Sequence, residues 1–383
     1  MTAAQNVLIL SSDTGGGHRS AANALETSLT MLDPGKVLVR VAKVLEESTV
    51  ISRKMAELYN YLLREHQDWM KYYYSAIHLL KPNESRLILD AALGYGQRLV
   101  DRVCPSAVVS VHPMTQHFFA YVMRKLGLLG KIPFVTVVTD PVAGFWRGWA
   151  CDDVDMYYVA SDDARQQLMD YGVGSHKIRI TGMPVHPRFK PATEDERRAI
   201  RHAMGLDPEK FTVFLNSGWA GGGNVPQIYQ ALAASGIENI QAVFLAGQND
   251  KLIQTGHEVA SSSRFPIKVV GYSDEIESLM NASDVMVTKM GGLTTFEAMA
   301  CHLPIIADVS SPMPQEAQTG QFLTRTGTGI MLAQPDSIVS VVESLSNSPD
   351  QLADMRFAAG IHARAGAAER IARDVVDRVN GIV

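Results

Sequence analysis

The chain has 383 residues, a formal net charge of −5, 46% hydrophobic residues and 20% charged residues. That length fits two domains of roughly 150 to 200 residues each, the composition excludes a disordered or fibrous chain, and the acidic balance argues against a protein wrapped around nucleic acid. Cys104, Cys151 and Cys301 lie far apart with no CxxC pair, which excludes a zinc framework and a disulfide-stapled fold and fits a reducing compartment. The first residues, Met-Thr-Ala-Ala-Gln, carry no basic leader, and no run reaches the roughly 18 apolar residues of a spanning helix. The expectation is a cytoplasmic protein.

Short, β-branched apolar runs at Val7–Leu10, Val37–Val41, Ala107–Val111, Phe134–Val138 and Tyr157–Ala160 predict buried strands with helices between them. The apolar pattern stops over Pro184–Arg198, where charge accumulates and an interdomain linker is expected. It restarts with Phe211–Leu215, Ala242–Ala246, Ile267–Val270, Val285–Thr288 and Pro304–Ala307, again with helical segments between. The fold class is therefore α/β, two Rossmann-like parallel-sheet domains facing a cleft, one over 1–188 and one over 189–364. An Ala- and Arg-rich helical stretch closes the chain, and its last part, about 365–383, is expected to pack back on the first domain.

Each half opens with a strand and a glycine-rich loop, Asp13-Thr-Gly-Gly-Gly-His-Arg19 and Asn216-Ser-Gly-Trp-Ala-Gly-Gly-Gly223. The first lacks the Gly-Lys-Ser/Thr of a triphosphate loop. It also lacks the third glycine of a dinucleotide loop, and Ala42 and Lys43 stand where an acid would grip ribose. What remains is a turn in which Gly16 and Gly17 allow close approach of a ligand, with His18 at the mouth of a helix whose N-terminus favours the neutral, proton-accepting imidazole. In the second half a strand ends at Lys289, Gly291 and Gly292 make a turn, and Thr294 and Glu297 lie in the next helix. Backbone N–H groups there suit a diphosphate, and Glu297 suits a ribose diol.

These strings resemble the monogalactosyldiacylglycerol synthases and the processive diacylglycerol glucosyltransferases, and more distantly the glycosyltransferase that completes lipid II. Asp-Thr-Gly-Gly-Gly-His-Arg, Gly182-Met-Pro-Val and Lys289-Met-Gly-Gly-Leu-Thr-Thr-Phe-Glu-Ala carry the resemblance. It implies the GT-B architecture, an acceptor bound by the first domain, and an inverting transfer of galactose or glucose from a UDP-hexose to diacylglycerol. His18 matches the family histidine with Gly16 and Gly17 in its loop. Lys289, Gly291, Gly292, Thr294 and Glu297 match the donor loop, joined by Ser217 and Gly218 of the second glycine loop and by Gln315 and Glu316 at the hexose. Where many relatives carry asparagine after that pair, this chain has Thr319. After Thr139-Asp140 it also lacks the plant-type histidine.

The mechanism expected on that basis makes His18 the base, with Asp13 or, preferably, Asp140 orienting it, while Lys289 and the donor-loop N–H groups take the leaving charge without a metal or cofactor. Three rival expectations stand beside it. They are a DxD metal site at Asp153-Val-Asp155, a UDP-sugar epimerase of the same fold, and a binding protein without catalysis. Between Leu58 and Leu80 an aromatic cluster with basic neighbours such as Lys71 reads as an interfacial helix, with Trp69, Tyr72 and Tyr73 as membrane contacts. Attachment is then expected to be peripheral, on the inner face of the membrane.

Overall fold

A computed structural model describes residues 4–66, 69–80, 82–218, 223–310 and 317–382. The chain divides into two compact units, Met1–Pro187 with Gly366–Val383, and Arg188–Ala365. Among the described residues no helix is long and apolar enough to cross a membrane.

In the first unit, strands β1 (Gln5–Ser11), β2 (Val37–Lys43), β3 (Ala107–Ser110), β4 (Phe134–Val137), β5 (Met156–Val159) and β6 (Ile178–Ile180) form one parallel sheet. Their order is β2-β1-β3-β4-β5-β6. Every residue of β3, β4 and β5 is buried, which is why these strands read as continuous apolar runs and not as alternation. The pattern missed β6, a three-residue edge strand with exposed Arg179 at its centre. Strand order reverses at β1 and β3, so the loops leaving them diverge and open a crevice at their carboxyl ends. Behind it Trp149, Phe119, Phe134 and Tyr157 fill the core. The helix Ala367–Val379 belongs to this unit: Asp374 on it accepts from the Tyr158 hydroxyl and from Arg179, and Arg370 donates to the Thr181 carbonyl at 2.7 Å.

The second unit repeats the plan with β7 (Phe211–Asn216), β8 (Ile240–Leu245), β9 (Ile267–Val270), β10 (Val285–Lys289), β11 (Ile305–Asp308) and β12 (Gly329–Leu332), in parallel order β12-β11-β10-β7-β8-β9. Its switch point lies between β7 and β10. A core of its own is built around Tyr229 stacked on Phe244, with ring centroids 4.0 Å apart.

The charged stretch read as a linker is partly structural. Thr193 caps a helix over Glu194–Ala203 with a reciprocal Glu196 bond, and Arg197 and Arg201 of that helix are buried. Both reach Asp284, at 2.8 Å each, and Arg356 joins them at 2.6 Å. The Thr212 N–H donates to the same carboxylate at 2.8 Å. Of the charged residues in that stretch Arg197 joins this buried group, with Arg201 and Arg356 from outside it, while Arg188, Lys190, Glu194, Asp195, Glu196 and Arg198 are exposed.

Candidate functional site

The first glycine loop leaves β1 and runs over the switch point. Gly15 has φ +72°, the left-handed region that favours glycine. Two side chains from elsewhere hold the loop: Glu46 accepts from the Ser12 hydroxyl (2.8 Å) and the Asp13 N–H (2.9 Å), and Asn60 accepts from the Gly15 N–H (3.1 Å) while donating to the Asp13 carbonyl (3.0 Å). Gly16 then caps the helix Gly17–Leu32 with no side-chain bond, and His18 occupies its first turn.

His18 Nδ1 lies 2.8 Å from the Val111 carbonyl, beyond β3, and 3.0 Å from Thr139 Oγ1, beyond β4. A carbonyl only accepts, so Nδ1 carries the proton and Nε2 keeps its lone pair. Burial pushes the imidazole down to about 4, against the Val111 bond, which favours the charged form. The ring is therefore neutral at working pH with its basic nitrogen unprotonated. His112 stands edge-on to it, centroids 4.4 Å apart. His112 accepts from the Met114 N–H at Nδ1 (3.2 Å), so its Nε2–H donates to Thr14 Oγ1 (2.9 Å) and ties the loop to the end of β3.

The orienting carboxylate differs from expectation. Asp140 accepts the Trp149 indole N–H at 2.6 Å, and Asp13 pairs with Lys43 at 2.7 Å. The groups on His18 Nδ1 are a backbone carbonyl and a threonine. Asp140 is half-buried beside the indole, and its desolvation raises its carboxyl above the usual range. The Asp153-Val-Asp155 pair is also otherwise engaged, since Asp153 pairs with Arg124 and Asp155 accepts the Phe134 N–H at 2.7 Å. These acids brace the entry to β5 and the start of β4.

In the second unit the loops after β7 and β10 meet at Lys289. A Cβ placed on Gly218 or Gly223 would stand 3.9 and 3.8 Å from the Lys289 stem, and both glycines have positive φ. Ser217 is tied to the Leu245 carbonyl, and the Gly218 N–H donates to Asn216 Oδ1 at 2.9 Å. Gly291 caps the helix Gly292–Ala300 with no side-chain bond, so the first N–H groups of that helix, at Gly292 and beyond, remain for a ligand beside Thr294. Glu297, half-buried, has its carboxyl pushed up to about 7 by burial, with Arg188 opposing and Glu277 adding to the rise. Gln315 and Glu316 lie outside the described residues, as do 219–222 of the glycine loop. Thr319 is buried in the helix Ala317–Thr326.

The expected interfacial helix is two helices, Val50–Glu65 and Met70–Leu80. Trp69 and Tyr72 are 61% and 64% exposed, and Leu58, Tyr61, Leu79 and Leu80 are exposed beside them in sequence. Tyr73, expected among the membrane contacts, is half-buried and packs edge-on against Tyr59, centroids 5.5 Å apart.

Comparison with known proteins gives the family and the fold. A family model described as "Monogalactosyldiacylglycerol (MGDG) synthase" matches residues 18–185, and one described as "Glycosyltransferase family 28 C-terminal domain" matches 224–371. The Oryza sativa subsp. japonica protein named "Probable monogalactosyldiacylglycerol synthase 2, chloroplastic" is 32% identical over 349 residues, covering 87% of this chain and 72% of the relative. Among solved structures, Acinetobacter baumannii MurG is similar with a TM-score of 0.66 at 14% identity, over 98% of this chain and 99% of that one. Anabaena HepE in complex with UDP-glucose is similar at 0.59 and 13%, over 98% and 99%. The two structural likenesses concern the fold. Two parallel-sheet units with loop sites at their switch points, matched in this way, make the protein a glycosyltransferase of the GT-B fold. The chain belongs to the monogalactosyldiacylglycerol synthase family.

Proposed function

We propose that this chain transfers galactose from UDP-galactose to the free hydroxyl of diacylglycerol, inverting the anomeric centre to give a β-galactolipid. One observation carries the chemistry: a neutral His18 whose Nδ1–H is held by Val111, leaving Nε2 to take a proton. The acceptor oxygen bonds to the anomeric carbon as the bond to the UDP oxygen breaks; the acceptor's proton goes to His18, and the leaving electron pair stays on the diphosphate. Lys289 and the N–H groups at the start of the helix Gly292–Ala300 take up that charge, with Ser217, Gly218, Gly291, Gly292 and Thr294 shaping the donor loop and Glu297 on the ribose. The names of the relatives support galactose and diacylglycerol, and the UDP-glucose held by HepE supports the donor class. UDP release, followed with and without diacylglycerol micelles, tests the reading. Release that depends on the lipid supports it, whereas lipid-independent conversion of the donor points to an epimerase and no conversion points to a binding protein.

Glu297 makes the donor half testable by pH. A ribose diol donates to the ionised carboxylate, so UDP affinity should be level above about pH 7 and weaken by about tenfold per unit below it, and Glu297→Gln should abolish that slope. The folded carboxyl lies above its unfolded value of 4.5, so the fold is favoured at low pH and loses stability as pH rises through 7. Glu297→Gln should therefore melt higher than the parent at alkaline pH and equally near pH 4.5. Unchanged melting together with an unchanged affinity profile would refute the placement.

Peripheral attachment rests on Trp69, Tyr72, Leu79 and Leu80, amphipathic and apolar groups in water beside Lys71. Replacing Trp69 and Tyr72 by Ser should weaken co-sedimentation with anionic vesicles while sparing UDP binding. Equal sedimentation of parent and variant would remove these two residues from the membrane contact.

A further inference from the structure

The helices Val50–Glu65 and Met70–Leu80 bring phenols to the catalytic loop as well as apolar groups to the surface. Asn60 clamps Gly15 and Asp13, and its neighbour Tyr59 lies over the same turn, its Cε1 3.9 Å from where a Cβ on Gly15 would stand. The Tyr59 and Tyr74 hydroxyl oxygens are 3.5 Å apart. Tyr73 braces the pair edge-on, 5.5 Å from Tyr59 and 6.0 Å from Tyr74. Tyr59 thus stands against a glycine turn that leads within three residues to the base, and the Tyr74 hydroxyl stands beside that of Tyr59.

We infer that Tyr59 and Tyr74 are acceptor-selecting residues whose hydroxyls hold the reacting hydroxyl of a lipid alcohol beside the glycine loop and so favour it over water. The inference deepens the proposed transfer to diacylglycerol and rests on it. A phenol both donates and accepts, so one of the pair donates to the acceptor oxygen while that oxygen gives its proton elsewhere. Burial, with the neighbouring Tyr59 hydroxyl and the Asp140 carboxyl adding to it, holds Tyr74 well above the ordinary phenol range, so its O–H persists at every working pH. The same two helices expose Trp69, Tyr72, Leu79 and Leu80. An acceptor with one free hydroxyl on an apolar body meets both requirements, a hydrogen-bonding wall and an adjoining apolar surface. A site built to hydrogen-bond a hydroxyl discriminates strongly against a ligand that lacks one.

The test uses the full chain with Tyr59→Phe and Tyr74→Phe, which keep the rings. Diacylglycerol in detergent micelles is the acceptor, and its acetylated analogue, with no free hydroxyl, is a competing inhibitor. Each variant should raise the KM for diacylglycerol by about 5- to 20-fold, the scale of one lost hydrogen bond, and lower the ratio of lipid transfer to donor hydrolysis by a similar factor. The KM for UDP-galactose and inhibition by the acetylated analogue should stay as in the parent. An unchanged diacylglycerol KM and ratio overturns the inference. So does a parallel loss of inhibition by the analogue, which marks a merely structural role. If the parent itself transfers to no lipid, the proposed function fails first and the inference goes with it. If the parent transfers and only the tyrosine results fail, the proposed function stands.

Discussion

His18→Ala is expected to lower kcat on diacylglycerol by about 10²–10⁴-fold, the usual contribution of a positioned base, while calorimetry finds UDP affinity changed by no more than about twofold. The expectation follows from the tautomer. Val111 takes the Nδ1 proton, so Nε2 is the nitrogen that works, and alanine removes it without touching the second unit. The pH profile gives a second signature. With the imidazole held at about 4, kcat at saturating donor should stay level from about pH 8 to about pH 5 and fall only near pH 4. The same depression costs stability as pH drops from 6.5 towards 4, because the unfolded chain takes up the proton first. Near-normal turnover in His18→Ala would remove the assignment.

Asp284→Asn is expected to destabilise the second unit by about 3–5 kcal/mol, as breaking a buried ion pair from one side leaves charge uncompensated. Each Asp284 oxygen accepts two bonds, Arg197 and Arg356 on one, Arg201 and the Thr212 N–H on the other. An amide would place N–H donors against donors on one side and remove the charge that balances three guanidiniums. Arg197 and Arg201 also bond the Ser283 and Ala282 carbonyls, so they cannot swing to solvent without losing those partners. Urea denaturation of the variant should show the second unit's transition at lower urea. A loss below about 1 kcal/mol would mean that the arginines relax into water.

Among the described residues ten of twelve strands were legible, eight of them because a mostly buried strand is written as a short β-branched run, and the half-exposed β2 and β9 because they keep β-branched composition. β6 and β12 were not: one carries an arginine at its centre and the other opens with Gly329, so neither is written as a continuous β-branched run. His18 was legible from its glycines, but its partners were not. Val111 and Thr139 lie 93 and 121 residues away, and only the sheet order brings their strand ends together. Asp140 drew attention as an acid at a strand end, yet nothing local announced that Trp149, buried nine residues on, would take its oxygen. The Tyr72 and Tyr73 pair shows the same limit. Tyr72 is exposed while Tyr73, about 100° further round the helix, is half-buried against Tyr59, so composition named the segment without dividing its faces. Arg197 lies in the stretch read as a linker, and nothing local announced that it would be buried against Asp284, 87 residues away.

Radiolabelled UDP-galactose and UDP-glucose, each incubated with the full chain and diacylglycerol in micelles and the lipid products separated, test whether the chain transfers galactose to lipid. Label from UDP-galactose is expected in a single-sugar lipid whose anomeric proton shows the large coupling of a β-galactoside, at least about 100-fold less of it with His18→Ala. Label that remains in water-soluble sugar or nucleotide while the donor is consumed would contradict it.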